Sequence, residues 1–401
     1  MKRYISLLLC AALALCLCAC QKAPDATTAG TTIPTAPTET TGTTPTNPEQ
    51  DASAIYDAPM ASVSMPLTIE TQKAENDTTI AYYTHQDVSL TLPDADVAGA
   101  ITLDLLNRID KTRAEAENVF TSAKADYNGQ DNWYPYSYAI TYQSMRLDQN
   151  VLSFFGTEGC FDGSPRSMSA GISITYDLTT GEPLSLRGIL HEENYADTLC
   201  DLIIAGLKNS KSDNLFSDYE SIIRAKFSTN VPVESWYFSE EGLCFYFAPY
   251  EIAAYTAGTV VSEIPYASLN GLLKDQYYPG ESLEYSGALT AKQISQDDTK
   301  AMDAYSQFAE VILDPEGEQI LIATDGSVSN IRVNYAIENA ACGVTQSTVL
   351  TLAGMGPTDA IILTMDDDAL DGRITITFDS FGQAQTLTLT EESDGVLKLT
   401  K

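Results

Sequence analysis

The chain has 401 residues, of which 22 are basic and 55 are acidic, so its formal net charge is −33 at pH 7. The few Lys and Arg residues form no cluster, which argues against nucleic-acid binding and against adhesion to anionic lipid through a basic patch. Apolar residues make up 44% of the chain, which is enough to bury a core, and the length suits about two to three domains.

The N-terminus has the pattern of a secretory signal. Lys2 and Arg3 precede an apolar run over residues 5–17, which is too short to span a membrane as a permanent helix. The run ends in Leu17-Cys18-Ala19-Cys20, which resembles the lipobox of bacterial lipoproteins. We expect residues 1–19 to be a lipoprotein signal peptide and Cys20 to carry the lipid. Ordinary signal cleavage near this point and an uncleaved anchor are the alternatives.

Residues 20–53 are dominated by Thr and Pro. Such a segment has little to bury and its prolines favour extended conformations, so we expect a disordered tether. It either lifts a folded body off the bilayer or is a spacer without a selected length. No later apolar run approaches the ~20 residues of a membrane span. The sequence thus predicts a protein on the extracytoplasmic face of a bacterial cell membrane, attached only through lipid at Cys20.

Residues 65–285 mix strand and helix patterns. Apolar and polar residues alternate over 67–72, 87–92 and 136–147, which predicts half-buried strands. Val97, Ile101, Leu105 and Ile109 recur at helical spacing behind Asp94 and Asp96, either of which could cap a helix. Two further helices are expected, one after Glu192 and one around residues 216–223. The pattern predicts an α+β domain of antiparallel sheets with a few packed helices.

The C-terminal part has a different composition. Met302, Tyr305, Phe308 and Ile312 fit one face of a helix, so we expect a helical connector over residues 298–316. From residue 317 to 401 the chain is strand-like and is punctuated by turns such as Asp325-Gly326 and Phe381-Gly382. This part is predicted to be an all-β, sandwich-like domain.

No residue set for catalysis stands out. The chain has only two histidines, His85 and His191, and it has neither a Gly-x-Ser-x-Gly elbow nor a Walker loop. We therefore predict no catalytic residues, no metal and no cofactor. Beyond Cys20, four cysteines lie far apart without a C-x-x-C pair, which leaves open three disulfide pairings or buried free thiols. These are Cys160, Cys200, Cys244 and Cys342.

Three blocks carry a resemblance to a known family. The most distinctive runs from Ser235 to Tyr266 and contains Phe245-Tyr246-Phe247-Ala248-Pro249-Tyr250-Glu251-Ile252. The others are residues 176–186, with Asp177-Leu178-Thr179-Thr180-Gly181, and residues 136–142. Together they resemble an extracytoplasmic domain of unknown function found in the lysozyme-sensing anti-sigma factor RsiV and in the N-terminal region of the peptidoglycan deacetylase PdaC. The resemblance covers roughly residues 65–275.

The chain departs from that family in two ways. Relatives carry a Gly-Gly-Ala-His-like loop where this chain has residues 159–166, Gly-Cys-Phe-Asp-Gly-Ser-Pro-Arg, so ligand contacts that depend on the loop do not carry over. The anti-sigma relatives also have a cytoplasmic segment and a transmembrane helix, which a lipid anchor replaces here. This chain is therefore not expected to hold a sigma factor.

The aromatic block suggests a binding surface. Phe245 and Phe247 alternate with Tyr246, which predicts one core face and one partly exposed face. Tyr250 and Tyr255 flank Glu251, an amphipathic combination that suits sugars or protein partners. The alternative is that these tyrosines seal an interface between sheet and helix. We assign Tyr250, Glu251 and Tyr255 as candidate ligand-binding residues.

Two functions fit these features. The resemblance implies a non-catalytic binding or sensing lipoprotein that recognises lysozyme or a similar cationic envelope-active protein, and the negative charge would steer such a partner. The deacetylase relatives and the tyrosines favour the alternative, a lipoprotein that binds peptidoglycan or another cell-wall glycan.

Overall fold

The structure is a computed structural model. It describes residues 60–130, 132–164, 168–191, 195–209, 214–228, 233–280, 285–295, 299–339, 343–365, 371–391 and 397–400. The predicted signal peptide, the tether, the lipidation site Cys20 and the cysteine Cys342 lie outside these ranges, so those expectations stay predictions.

Ten strands, four helices and three 3₁₀ turns make up the first part of the described chain. The strands are β1 (Ser62–Ser64), β2 (Leu67–Lys73), β3 (Thr79–Gln86), β4 (Ser89–Thr91), β5 (Tyr136–Leu147), β6 (Val151–Phe161), β7 (Met168–Asp177), β8 (Trp236–Phe238), β9 (Gly242–Phe247) and β10 (Val260–Pro265). The helices are α1 (Ala95–Asp126), α2 (Leu186–Ile189), α3 (Ala196–Asn209) and α4 (Tyr219–Phe227). Three 3₁₀ turns lie at Tyr255–Ala257, Tyr266–Leu269 and Asp275–Tyr277.

The second part is nearly all strand. Its elements are β11 (Leu289–Ile294), α5 (Thr299–Met302), β12 (Gln307–Ile312), β13 (Glu318–Thr324), β14 (Val328–Asn339), β15 (Gly343–Met355), β16 (Asp359–Met365), β17 (Asp371–Ser380), β18 (Gln383–Glu391) and β19 (Leu397–Thr400). The predicted fold class, α+β with antiparallel sheets, few helices and a strand-rich C-terminal part, is confirmed.

A five-stranded sheet carries the long helix α1. The sheet order is β2-β3-β5-β6-β7, with β3 and β5 parallel and the other neighbours antiparallel. Every second residue of β5 from Tyr136 to Tyr142 is buried, as the alternation predicted. The helix begins where expected, because the Asp94 carboxylate accepts hydrogen bonds from the backbone N–H groups of Asp96 and Val97, at 2.9 and 3.2 Å.

A three-stranded antiparallel sheet, β8-β9-β10, packs against α3. The side chain of Ser262 on β10 donates a 2.8 Å hydrogen bond to the Ile203 carbonyl of α3. Gly206 is required at this contact, because a Cβ there would lie 2.5 Å from the Ser262 hydroxyl and 2.9 Å from the Glu263 carbonyl. The small residue lets the helix and the strand approach closely.

Strand β9 is buried on both faces. Phe245 and Phe247 join the core formed with the helices. On the other face Cys244 and Tyr246 pack with Tyr237 and Phe155, whose ring lies 4.7 Å from that of Tyr237 and 5.1 Å from that of Tyr246. The expectation that this second face is partly exposed is wrong, since β6 of the five-stranded sheet covers it.

Two sheets form the strand-rich part. The larger has the order β19-β18-β17-β14-β15-β1-β4 and the smaller the order β11-β13-β16-β12. One core joins residues of both, including Val311, Ile322 and Leu363 from the smaller sheet and Val333 and Leu350 from the larger. The sandwich therefore takes in more than residues 317–401, because β11 and β12, and also β1 and β4 from the N-terminal end, belong to its sheets.

The predicted helical connector at 298–316 is wrong. Only Thr299–Met302 is helical, and Gln307–Ile312 forms β12, which pairs in parallel with β16. Ala309 and Val311 are buried while Glu310 between them is exposed. Alternate burial is typical of a strand with one face on a core. It outweighs the helical spacing shown by Met302, Tyr305, Phe308 and Ile312.

Three of the four cysteines whose pairing the sequence left open are free thiols. Cys200 and Cys244 are buried and Cys160 is half-buried. Burial raises the pKa of all three thiols, which keeps them protonated and unreactive near neutral pH. Among the described residues the free-thiol alternative therefore holds.

Candidate functional site

The site is centred on a tight turn that follows β9. The backbone N–H of Glu251 donates a 3.0 Å hydrogen bond to the Ala248 carbonyl, with Pro249 and Tyr250 at the two central positions. Tyr250 has a φ of 69°. Proline followed by a positive φ is the arrangement of a type II turn, in which glycine or asparagine is preferred at the third position. A tyrosine there stores backbone strain of about 1 to 3 kcal/mol.

Glu251 fixes this turn from the inside. Its carboxylate accepts a 2.9 Å hydrogen bond from the Ala248 N–H and forms a 2.7 Å ion pair with Lys226 of α4. The Lys226 ammonium also lies 5.1 Å from the centre of the Phe247 ring, within the range of a cation–π interaction. Both charged side chains are only about a quarter exposed, at 25% and 27%. Glu251, a candidate ligand-binding residue, thus uses its carboxylate in contacts within the chain.

Tyr255 lies beside Tyr250 and extends its surface. It begins the 3₁₀ turn that ends before Gly258, whose φ is 66°. The two tyrosine rings are 5.4 Å apart at an interplanar angle of 32°. Tyr250 is 55% exposed, and Tyr255 is half-buried. We call these two residues the tyrosine platform.

The segment between the two tyrosines is anchored in the core. Ile252 is fully buried and Ala253 is 3% exposed. The Ile252 carbonyl accepts a 2.9 Å hydrogen bond from the Phe216 N–H, and Ala253 forms a β-bridge with Leu215. Because these contacts hold the intervening residues, the positions of the two tyrosines are fixed by the fold, and a ligand that contacted them would meet a preorganised surface.

The sequence analysis selected Tyr250 and Tyr255 as candidates but did not identify the residues that support them. Tyr250 and Tyr255 are brought together as candidate residues, whereas Glu251 lies beneath the turn. Lys226 was not singled out, and its position 25 residues before Glu251 gives no local signal of the ion pair. The turn, in contrast, has a local signal in Pro249, because proline is favoured at the second position of a type II turn.

Two other charged networks belong to the fold. Arg146 is 2% exposed and lies over the rings of Phe238 and Tyr266, at 5.2 and 5.3 Å. Its guanidinium donates 2.7 Å hydrogen bonds to the Tyr266 hydroxyl and to the Tyr277 carbonyl. This residue links β5 of the five-stranded sheet to the segment that follows β10.

The second network surrounds the buried His85. Its Nε2 lies 3.0 Å from Glu70, which also accepts a 2.8 Å hydrogen bond from Arg113. The Arg113 hydrogen bond is the main reason why the pKa of Glu70 is lowered. Within the described ranges, no group of three or more His, Cys, Asp or Glu residues is placed to hold a metal ion.

Similarity to solved structures is low in sequence. A DUF3298-family protein from Bacteroides fragilis is 17% identical, with a TM-score of 0.42, and the match covers 54% of this chain and 94% of that one. A DUF3298-family protein from Pseudomonas aeruginosa is 15% identical, with a TM-score of 0.40, and the match covers 56% of this chain and 99% of that one. No curated protein matches the chain. Among the described helices, none combines the length and apolar character needed to cross a membrane.

A family model gives the firmer result. Residues 189–267 match the model described as a protein of unknown function, DUF3298. This range includes α3, α4, the three-stranded sheet and the tyrosine platform. The predicted resemblance to a domain of unknown function is confirmed to this extent, and residues 189–267 of this chain are similar to the DUF3298 domain.

Proposed function

We propose that this protein is a non-catalytic binding or sensing lipoprotein that recognises lysozyme or a similar cationic envelope-active protein through the tyrosine platform. The observation that carries the proposal is Tyr250, an exposed aromatic side chain at a positive φ. An exposed tyrosine in a strained turn recovers little stability through burial, and strained, rigidly supported residues are concentrated at binding sites. Tyrosine is also among the residues enriched at the energetic centres of protein interfaces.

The charge of the chain supports a basic partner. A net charge of −33 attracts a cationic protein over a distance set by the salt concentration. At the platform itself, Lys226 is paired with Glu251, so this lysine does not present an isolated positive charge to an approaching cation. The charge of the whole body speeds the encounter, and the tyrosine rings supply the contact that distinguishes one basic protein from another.

The family resemblance supports the choice of lysozyme. The blocks at residues 136–142, 176–186 and 235–266 resemble the ectodomain of a lysozyme-sensing anti-sigma factor, and the third block contains the platform. On this chain a lipid at Cys20 and the Thr- and Pro-rich residues 20–53 would place the domain at the extracytoplasmic face of a bacterial membrane.

Labelling cells with a palmitate analogue tests the anchor. Cys20→Ser should abolish the label, and an unchanged label would contradict lipidation at this residue.

A cell-wall glycan is the second candidate ligand. It is favoured by the two neighbouring tyrosine rings, which lie 5.4 Å apart and are inclined at 32°, because aromatic faces pack against sugar rings. A glycan-binding protein would sediment with purified peptidoglycan and would show no preference for basic proteins.

Titration calorimetry of the full chain in detergent micelles tests the proposal. Lysozyme should bind with a sub-micromolar dissociation constant, at about −8 kcal/mol or better, and the binding should persist at near-physiological salt. A second basic protein of similar size should bind only at low salt. Tyr250→Ala should weaken lysozyme binding at least about tenfold. Tyr134→Ala is the control, since this tyrosine lies elsewhere and is also well exposed, at 64%, and it should leave binding unchanged. Equal, salt-sensitive binding of both proteins would refute the proposal.

A further inference from the structure

A second surface lies at the free end of the seven-stranded sheet. Strand β4 is the last strand of that sheet, and its pairing partner is β1, through Ser62–Thr91, Val63–Leu90 and Ser64–Ser89. Within the described ranges, no strand pairs with the outer edge of β4. An edge strand presents backbone N–H and C=O groups that can hydrogen-bond to another extended chain.

An apolar groove runs beside this edge, between β4 and the first turns of α1. It has a volume of about 590 Å³, and Leu90, Leu92, Leu103 and Leu106 contribute to its lining. Leu103 is 61% exposed and Leu106 is 37% exposed, although large apolar side chains usually face the core. Gly99 lies on the groove, and a Cβ at this residue would meet no atom within 4 Å, so this part of the helix surface is open.

The surroundings of the groove are acidic. Asp87, Asp94 and Asp96 lie close to β4 in the chain, and residues 87–107 include no Lys or Arg. Asp104, further along α1, is paired with Arg108. Asp87 lies just before β4, and Asp94 and Asp96 lie just after it, and all three are exposed. A segment that lies along β4 would therefore pass carboxylates at both ends of the strand, with an apolar surface between them.

We propose that the outer edge of β4 and this groove bind an extended, basic segment of a partner protein by β-strand addition. The backbone of the segment pairs with β4, alternate apolar side chains contact Leu103 and Leu106, and its basic side chains face the flanking aspartates. A second copy of this chain fits the surface less well, because each copy has a net charge of −33 and like charges repel. This inference is independent of the tyrosine platform.

Fluorescence anisotropy with a defined probe tests the proposal. The probe is a labelled peptide of four Lys-Val repeats, and the control peptide has the same charge but carries prolines at two central valines. Proline removes the backbone donor and cannot be accommodated in the middle of a paired strand. At near-physiological salt, the full chain should bind the Lys-Val peptide with a dissociation constant on the order of 100 µM or tighter, and the proline peptide at least about tenfold more weakly.

Variants of the groove provide the second comparison. Leu103→Ser and Gly99→Leu should each weaken binding of the Lys-Val peptide about tenfold, because the first removes apolar contact and the second fills the groove. Ile312→Ser is the matched control, since Ile312 is 54% exposed on β12, and it should leave binding unchanged. Equal binding of the two peptides would attribute the affinity to charge alone and overturn the proposal. No binding, an identical effect of Leu103→Ser and Ile312→Ser, or a dimer that Leu103→Ser dissociates would also overturn it.

Discussion

Aromatic residues that are neighbours in the sequence have opposite environments in this molecule. Over residues 236–247 the six Phe, Tyr and Trp side chains are all at most 8% exposed, and they pack on both faces of the three-stranded sheet. Three residues later, Tyr250 is 55% exposed and its backbone lies in the left-handed region at a φ of 69°. The first group stabilises the fold, whereas Tyr250 strains it.

The comparison shows that aromatic content alone does not identify a binding surface. Tyr250 combines a backbone conformation that costs free energy with a side chain that recovers little of it by burial. Phe381, at a φ of 53° and 69% exposed, has the same combination, and Tyr250 differs from it in lying 5.4 Å from a second ring, that of Tyr255. Glu251, Lys226 and the buried Ile252 hold the turn in that conformation. We therefore expect the two groups to respond to mutation in opposite ways: buried aromatics should affect stability, and Tyr250 should affect binding.

The largest loss of stability is expected for Phe245→Ala. Phe245 is 1% exposed, and its ring lies 5.6 Å from that of Phe227. Its removal should lower the free energy of unfolding by about 3 to 5 kcal/mol through lost burial and an unfilled cavity. Urea denaturation measures the change. The matched control is Phe381→Ala, because Phe381 is 69% exposed and its loss should change stability by less than about 0.5 kcal/mol. Equal effects would contradict the assignment of the core.

A slightly smaller loss of stability is expected for Arg146→Met. This prediction extends the comparison from the buried rings to the buried cation that lies over two of them. The substitution leaves the Asp148 carboxylate without its ion partner and removes the 2.7 Å hydrogen bonds to the Tyr266 hydroxyl and the Tyr277 carbonyl. It should lower the free energy of unfolding by about 3 kcal/mol. Arg108→Met is the control, since this arginine is 38% exposed and should cost less than about 1 kcal/mol. A stable Arg146→Met protein would show that the packing of the segment after β10 against β5 does not depend on this contact.

A pH-dependent effect is expected at Asp104 of α1. Burial pushes the pKa of Asp104 up, but hydrogen bonds from Arg108 at 2.8 Å and Tyr176 at 2.7 Å outweigh it, so its pKa is lowered in the folded protein. A lowered carboxyl pKa contributes stability above the unfolded value of about 4, and this contribution is lost as the pH falls through the folded value.

Asp104→Asn should therefore lower the urea midpoint at pH 7 and have a smaller effect at pH 3. Asp110→Asn is the control, because Asp110 is an exposed residue of the same helix, and it should shift neither midpoint measurably. An Asp104→Asn effect of the same size at both pH values would contradict a role for the charged carboxylate.

The sequence predicted the elements that depend on local patterns. The alternation at residues 136–147 predicted the limits of β5, and Asp94 was one of two candidate helix caps, because a capping side chain acts within three residues. Long-range pairing was not predictable in this way. Nothing near Ser62–Ser64 or Ser89–Thr91 indicates that these three-residue strands extend a sheet made of residues beyond 328.

Residues 302–312 show how a local pattern can mislead. Met302, Tyr305, Phe308 and Ile312 fit a helix, but Ala309 and Val311 alternate with Glu310, and pairing with β16 selects the strand. The site was predictable to a similar degree. The aromatic block pointed to Tyr250 and Tyr255, whereas the positive φ of Tyr250 and the Lys226–Glu251 pair depend on contacts that no local spacing reveals.

The smallest effect on stability, and the most direct test of the central claim, is expected for Tyr250→Gly. Glycine adopts a φ of 69° without strain, so the free energy of unfolding should stay within about 1 kcal/mol of the original or rise, despite the lost contact with Tyr255. Lysozyme binding, measured by calorimetry on the same preparation, should weaken at least about tenfold. Unchanged lysozyme affinity in a Tyr250→Gly protein of normal stability would contradict the claim that Tyr250 is exposed in order to bind a partner.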